Sequence, residues 1–384
     1  MRKICVVITA RPSYSRIKTA LQAIKNHQKL ELQIVLAGSA LLEKYGNVSK
    51  IIEKDGFKVD EKIYNVIEGE FPTAMAKTTG IAITELATTF YNLKPDIVVT
   101  IADRFETIAT SIASSYQNIP LAHIQGGEVT GNIDEKVRHA NTKLADIHLV
   151  ASEDAKKRVI KMGENPDMVF NTGCPSIDLA KEVLDNSFLD FNPIEKYGGV
   201  GAKIDYKNGY LVVMNHPVTT EYTKAKEQVF NLLEVINELN IPTFWFWPNV
   251  DAGSDGTSKG IRQFREKRNP KNIRFMKNME PNDFLKLIYN SKVLIGNSSV
   301  GIRESSFLGI PVINIGSRQD GRSRGKNVID VKEYQKEDIK KAIIRQIENG
   351  KYQPEKIYGD GKAGEKIADV LEKVELRFHK RISY

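Results

Sequence analysis

Asp96-Ile97-Val98-Val99-Thr100-Ile101, residues 104–116, and then Ile119-Pro120-Leu121-Ala122-His123-Ile124 form the stretch on which the fold turns. Its outer segments are short, apolar runs rich in β-branched residues, as buried strands are. The segment between them predicts a helix. Working outward, helical spacing covers 134–144 and 79–92, and strand-like runs cover 147–151, 32–37 and 3–9. A helix over 15–26 carries Ile17, Ala20, Leu21 and Ile24 on one face. Repeated strand–helix–strand order predicts a parallel sheet with helices on both faces.

The alternation weakens between Asp185 and Asn208, where Asn-Pro, Gly-Gly-Val-Gly and Lys-Asn-Gly are turn chemistry. A domain crossover is expected there, beginning soon after Cys174-Pro175. A second series then starts, with strands at 210–214, 243–247, 292–295 and 312–315 and helices at 223–239, 281–289 and 300–308. The length of 384 residues agrees with two cores rather than one. The expected fold is α/β, two Rossmann-like doubly wound domains facing a cleft: 1–174, and 175–364. A last helical pattern within 364–377 either packs on the second domain or returns to the first.

Composition narrows the function. No apolar run approaches the ~18 residues of a membrane span. Residues 1–7 lead straight into a strand-like stretch without a small-residue cleavage site, so secretion is not expected. Two cysteines, Cys5 and Cys174, exclude a disulfide scaffold or a cysteine-cluster zinc site and suit a reducing cytoplasm. The net charge of +8 raises the question of nucleic acid. The basic residues are scattered on helical faces without interleaved aromatics, so a small anionic ligand is the better expectation.

In doubly wound sheets, ligands bind beyond the carboxyl ends of the strands. The segments there are unusually polar. They include Arg11-Pro12-Ser13-Tyr14-Ser15-Arg16, Asp103-Arg104, His123-Ile124-Gln125-Gly126-Gly127-Glu128, Asn215-His216-Pro217, Pro248-Asn249-Val250-Asp251, Gly296-Asn297-Ser298-Ser299 and Gly316-Ser317-Arg318. Gly296-Asn297-Ser298-Ser299 opens the 300–308 helix, where amides, hydroxyls and the helix dipole suit a phosphate, although plain serine capping reads equally well. Arg318 can add a charge-assisted fork, and Glu304 can accept from a ribose diol. Asp103-Arg104 reads as an ion pair of structural or functional use. Asp103, Glu128 and Asp134 bring carboxylates toward one cleft without metal-ligand spacing, which favours proton transfer. His216, held by Pro217 at a strand end, is as fit for function as for structure. His123, His139 and His148 fall in sheet or helix interiors. Trp245 and Trp247 alternate along a strand and read as packing. No three-glycine dinucleotide fingerprint is present.

These residues in this order resemble the hydrolysing branch of the UDP-N-acetylglucosamine 2-epimerase family over nearly the whole chain. The specific segments are 126–134, Arg138-His139, 215–220, 248–254 and 296–304. The resemblance implies a GT-B-like pair of Rossmann domains, with the C-terminal helix (365–384) packing back on the first, and no cofactor or metal. It implies a nucleotide-sugar substrate and a homo-oligomer, dimer or tetramer. Asp103, Asp134 and His216 then match proton-transfer positions, with Glu128 a further catalytic candidate. Arg11, Ser15, Arg104, Asn249, Lys277, Phe284, Ser298, Ser299, Glu304 and Arg318 match nucleotide and phosphate contacts, and Gly127 and Arg138 the sugar pocket. One departure stands out: Gln125 occupies a position that is usually acidic in the family. Either Glu128 or Asp134 takes that role, or Gln125 reads a modified substrate such as a 2,4-diacetamido sugar on UDP or GDP. A glycosyltransferase or a non-catalytic nucleotide-sugar binder is the alternative of another class.

Overall fold

The computed structural model describes residues 1–43, 48–67, 72–129, 133–248 and 254–383. They form two compact units, Met1–Asp178 with Tyr358–Tyr384, and Leu179–Ile357.

The first unit contains β1 (Arg2–Ile8), α1 (Arg11–Asn26), β2 (Leu30–Leu36), α2 (Val48–Lys54), β3 (Glu61–Lys62), α3 (Pro72–Leu93), β4 (Ile97–Ile101), α4 (Thr107–Tyr116), β5 (Leu121–Ile124), α5 (Ile133–Leu144), β6 (Ile147–Val150), α6 (Glu153–Lys161) and β7 (Val169–Asn171). α7 (Pro175–Asp185) follows and carries the chain into the second unit. Among the described residues the sheet order is β3-β2-β1-β4-β5-β6-β7, with parallel pairing throughout. β1 shows why helices cover both faces. Ile4, Val6 and Ile8 join Ile17, Leu21 and Ile24 of α1 in one buried cluster, while Cys5 and Val7 join Leu86 and Phe90 of α3 in another. Successive strand side chains point to opposite faces, so a strand apolar throughout needs cover on both. Each fully buried aliphatic side chain contributes about 1.5–3 kcal/mol.

The second unit repeats the plan with α8 (Pro193–Tyr197), β8 (Val200–Gly201), β9 (Leu211–Met214), α9 (Ala225–Leu239), β10 (Thr243–Phe246), α10 (Ser254–Arg268), β11 (Ile273–Met276), α11 (Pro281–Tyr289), β12 (Val293–Gly296), α12 (Glu304–Leu308), β13 (Val312–Ile315), β14 (Val328–Val331) and α13 (Lys336–Asn349). Its described sheet order is β14-β13-β12-β9-β10-β11-β8, parallel except for the β8 edge. The stripe Val229, Leu232, Leu233 and Ile236 of α9 is fully buried against Leu211, Val213 and Trp245. Trp245 is therefore packing, as its alternation suggested.

α14 (Ala363–Lys373) lies in the first unit, where Ile367 and Leu371 complete the α1-side cluster. The Asp178 carboxylate caps it, accepting from the Ala363 and Gly364 amides at 2.8 Å each.

Two expectations change. Residues 185–208 are not all turn: Asn192 caps the five-residue α8, and two-residue β8 pairs with β11. Elements this short carry no readable period. The helix expected over 300–308 is broken, with a 3₁₀ turn at Ser299–Gly301 and the five-residue α12 beyond it. The Ser298 and Ser299 carbonyls take up the Gly301, Ile302 and Arg303 amides within that turn. A one-turn element has little macrodipole, so the dipole part of the phosphate argument falls away.

Candidate functional site

In the first unit the polar residues gather where β4 and β5 end. Ala102 and Gln125, the residues just past these strands, both have left-handed backbone, φ 60° and 65°. Such conformations cost non-glycine residues on the order of 1–3 kcal/mol and persist only where surroundings impose them. Buried His123 is one such constraint: its Nε2–H donates to the Ala102 carbonyl at 2.9 Å, and Nδ1 faces the Thr142 hydroxyl at 3.1 Å. Burial drives the His123 pKa down to about 3, so the ring is a neutral brace.

Asp103 follows directly and is ion-paired with Arg138 of α5. Arg138 is 1% exposed, and its Nη1 also donates to the Glu128 carbonyl at 2.9 Å. Arg138 thus ties the end of β4 to the loop after β5. Asp134 opens α5 one turn before Arg138, on the same helix face, half-buried. Arg104 turns to buried Glu106, Nε to Oε1 2.8 Å. Asp103 thus pairs with Arg138, and Arg104 with Glu106. Glu106 is a participant that the sequence reading missed, since a lone glutamate at a helix start reads as capping.

Gln125 is 2% exposed and donates from Nε2 to the Cys174 Sγ at 2.9 Å. Its Oε1 is buried without a hydrogen-bond partner among the described residues. Glu128 is also buried. Gly127, at φ 76°, runs so close to α6 that a Cβ would stand 2.4 Å from the Ala155 carbonyl oxygen, and its own carbonyl accepts from Arg158 at 3.1 Å. Its lack of a side chain is a packing requirement whatever else it does. Arg11 begins α1, half-buried, and the Ser15 hydroxyl donates back to the Arg11 carbonyl at 3.3 Å.

The second unit gathers its polar residues beyond β9, β12 and β13. His216, half-buried, lies two residues past β9. Burial, with the Arg318 charge adding, lowers its pKa to about 3, so the ring is neutral. Its backbone is held by Asn297, with His216 N–H to Oδ1 2.7 Å and Nδ2 to the His216 carbonyl 2.8 Å. Arg318 and Gln319 both donate to the Asn297 carbonyl, at 3.4 and 2.8 Å. Ser298 and Ser299 are half-buried. Glu304 presents a buried Oε2 with no hydrogen-bond partner among the described residues. Phe284 packs edge-on against Phe246, centroids 5.1 Å apart, and Lys277 is exposed just past β11. Asn249 lies outside the described residues, as do parts of the 126–134 and 248–254 segments.

Residues 22–372 match the profile of a family described as UDP-N-acetylglucosamine 2-epimerase. The chain belongs to that family. It is 31% identical over 376 residues to a Legionella pneumophila protein named UDP-N,N'-diacetylbacillosamine 2-epimerase (hydrolyzing), covering 98% of this chain and 97% of that one. It is 33% identical over 332 residues to a Campylobacter jejuni protein named GDP/UDP-N,N'-diacetylbacillosamine 2-epimerase (hydrolyzing), covering 86% and 84%. Its fold is similar to the crystal structure of UDP-GlcNAc 2-epimerase from Neisseria meningitidis bound to UDP-GlcNAc, with TM-score 0.80, 19% identity and coverage of 97% and 100%. The two-unit GT-B-like architecture of this family member is thereby established. Among its described residues no helix is long and apolar enough to cross a membrane.

Proposed function

We propose that the chain is a hydrolysing 2-epimerase, converting a nucleoside-diphosphate-linked 2-acetamido sugar and water to the free C2-inverted sugar and nucleoside diphosphate. The observation that carries this reading is the Asp103–Arg138 pair at the end of β4, an anionic group oriented by a buried guanidinium. In the reaction a carboxylate removes the proton at C2 while the C1–O bond breaks and its electron pair leaves with the diphosphate. The intermediate is a 2-acetamidoglucal. Water then adds its oxygen to C1 and gives up one proton to solvent, while a second group delivers a proton to the opposite face of C2.

Two proton-transfer positions are needed, and Asp103 with either Asp134 or Glu128 supplies them. Arg138 acts through Asp103. The second unit takes the nucleotide: neutral His216, Ser298 and Ser299 donate to the diphosphate, Arg318 compensates its charge, and Glu304 Oε2 accepts from a ribose hydroxyl. Lys277, Phe284 and Asn249 of the same unit lie toward the nucleoside, and Arg11, Ser15 and Arg104 are anion-contact candidates of the first unit.

The hydrolysing subtype is supported by the names of the Legionella and Campylobacter relatives. Gln125 supports a substrate other than plain UDP-N-acetylglucosamine, because an amide is no base at neutral pH. A 2,4-diacetamido-2,4,6-trideoxy sugar on UDP or GDP is the preferred substrate on this reading. The test is a panel of UDP-N-acetylglucosamine and the UDP- and GDP-linked diacetamido sugars in D2O. Free nucleotide without any acceptor, and one deuterium at C2 of the product, is expected. Acceptor-dependent turnover, or product with its C2 hydrogen retained, rejects the elimination and favours a transferase.

A further inference from the structure

β9 and β12 pair in parallel register through Gly296 opposite Met214, and there the main-chain ladder ends. Two residues further on stands His216, followed by Pro217, which has no N–H to offer a neighbouring strand. The backbone at His216 would therefore have nothing regular to hold it. Asn297 fills that role with its side chain. Its own N–H donates to the Met214 carbonyl at 3.2 Å, its Oδ1 accepts from the His216 N–H at 2.7 Å, and its Nδ2 donates to the His216 carbonyl at 2.8 Å. A carboxamide has the planarity, donor and acceptor of a peptide unit, so this side chain does what one more residue of strand would do.

The preceding residue makes the arrangement possible. Gly296 has φ 132°, and a Cβ there would stand 2.1 Å from the Met214 carbonyl oxygen. Only glycine lets the chain turn so that the next side chain enters the line of the ladder. Asn297 is fully buried. Its carbonyl receives Gln319 Nε2 and Arg318 Nη1. One residue thus ties the segments after β9 and β13 to the end of β12.

We propose that Asn297 is the positioning residue for His216, a side-chain surrogate for a strand peptide that fixes where the imidazole is presented to the diphosphate. The inference rests on the reading of this unit as the nucleotide-binding half. The amide is required as such. An aspartate in its place would keep the acceptor but set a carboxylate against the His216 carbonyl, and an alanine would remove both bonds.

The experiment is UDP titration by calorimetry on the full chain, comparing wild type, Asn297→Ala, His216→Ala and the double variant. Asn297→Ala is expected to weaken UDP binding by about 30-fold in the wild-type background and by less than about threefold once His216 is gone. Equal losses in both backgrounds, or no loss in either, overturn the inference. A merely structural role would lower the melting temperature in both backgrounds and leave the two losses additive. Where Asn297→Ala does not fold, the near-isosteric Asn297→Asp is read through the same cycle. A second readout needs no ligand: the His216 ring signal in NMR, assigned by its disappearance in His216→Ala. It is expected to shift in Asn297→Asp, and an unchanged signal overturns the inference. A wild type that binds no UDP rejects the nucleotide reading, while the ring signal still decides whether Asn297 positions His216.

Discussion

The strand ends of the two units solve one problem with different chemistry. In the first unit, candidate site groups are fixed by charge: Asp103 by buried Arg138, and Arg104 by buried Glu106. In the second they are fixed by neutral amides, with Asn297 clamping the His216 backbone and Gln319 docked on the Asn297 carbonyl. Both units also place a buried neutral side chain on the main chain next to the reactive one, His123 on the Ala102 carbonyl and Asn297 on His216. The difference follows from the tasks proposed for them. A proton-transferring carboxylate needs a counter-charge to remain ionised near an anionic substrate. In the half proposed to take the diphosphate, neutral amides hold the backbone in place and the counter-charge is left to Arg318.

The sharpest way to break this comparison is Arg138→Met. It should cost about 3–5 kcal/mol of stability, since it leaves Asp103 without its buried partner. Turnover should fall roughly a thousandfold while UDP affinity stays within about twofold. Denaturant unfolding, steady-state kinetics and calorimetry read the three quantities, and a parallel loss of UDP affinity would show that the units do not divide the work.

Asp103→Asn keeps the shape and removes the charge. Turnover should drop by about a hundredfold to a thousandfold, together with deuterium incorporation at C2, with UDP binding unaffected. His216→Ala should do the reverse, weakening UDP by roughly 10- to 100-fold through loss of a hydrogen bond to a charged group. Equal effects of both substitutions on UDP affinity would erase the distinction.

Acid should separate the units more gently. His123 titrates near 3 and His148 below its ordinary 6.5, both through burial. Between pH 6.5 and 3 the unfolded chain binds these protons and the folded chain does not, so the stability of the first unit falls as pH falls. Glu164, held down to about 2 by His148, Lys143 and Lys380 despite its burial, adds stability that is present above pH 4.5 and lost as pH drops toward 2. Asp146 and Asp178, both raised by burial, oppose the trend in part. The second unit has a single histidine, His216, also lowered by burial, and its Asp190 is lowered by the Lys286 hydrogen bond. Hydrogen exchange at pH 7 and pH 5 should show the first unit losing more protection, and replacing His123 with Asn should reduce the gap. The smallest effect belongs to Asp178→Ala, which removes the cap of α14 and should cost about 1 kcal/mol with UDP binding untouched.

Much of the fold was legible because parallel strands buried on both faces must be apolar throughout. Residues 97–101 and 211–214 could be little else. The strand-end position of Asp103, Gln125, His216, Ser298 and Arg318 was equally legible, since it follows from strand order alone. Their partners were not. Asp103 and Arg138 are 35 residues apart and His216 and Asn297 are 81 apart, and no local pattern encodes such pairings. Asn297 stood in plain view within Gly296-Asn297-Ser298-Ser299, a stretch that read as a phosphate site or a serine cap at a helix start. The same stretch misled about the helix after it, because a break at a five-residue element leaves too few residues for a period to show.

The sequence by itself determined two doubly wound sheets and which residues fall at the strand ends, since hydrophobic period and local spacing are properties of neighbours along the chain, and its motifs carried the resemblance to the family. Tertiary structure decided what holds those residues: Arg138 under Asp103, His123 beneath Ala102, and Asn297 standing in for a strand at His216. Such contacts join segments that meet only after folding, and a buried ion pair or a well-placed amide depends on distances that linear spacing does not contain.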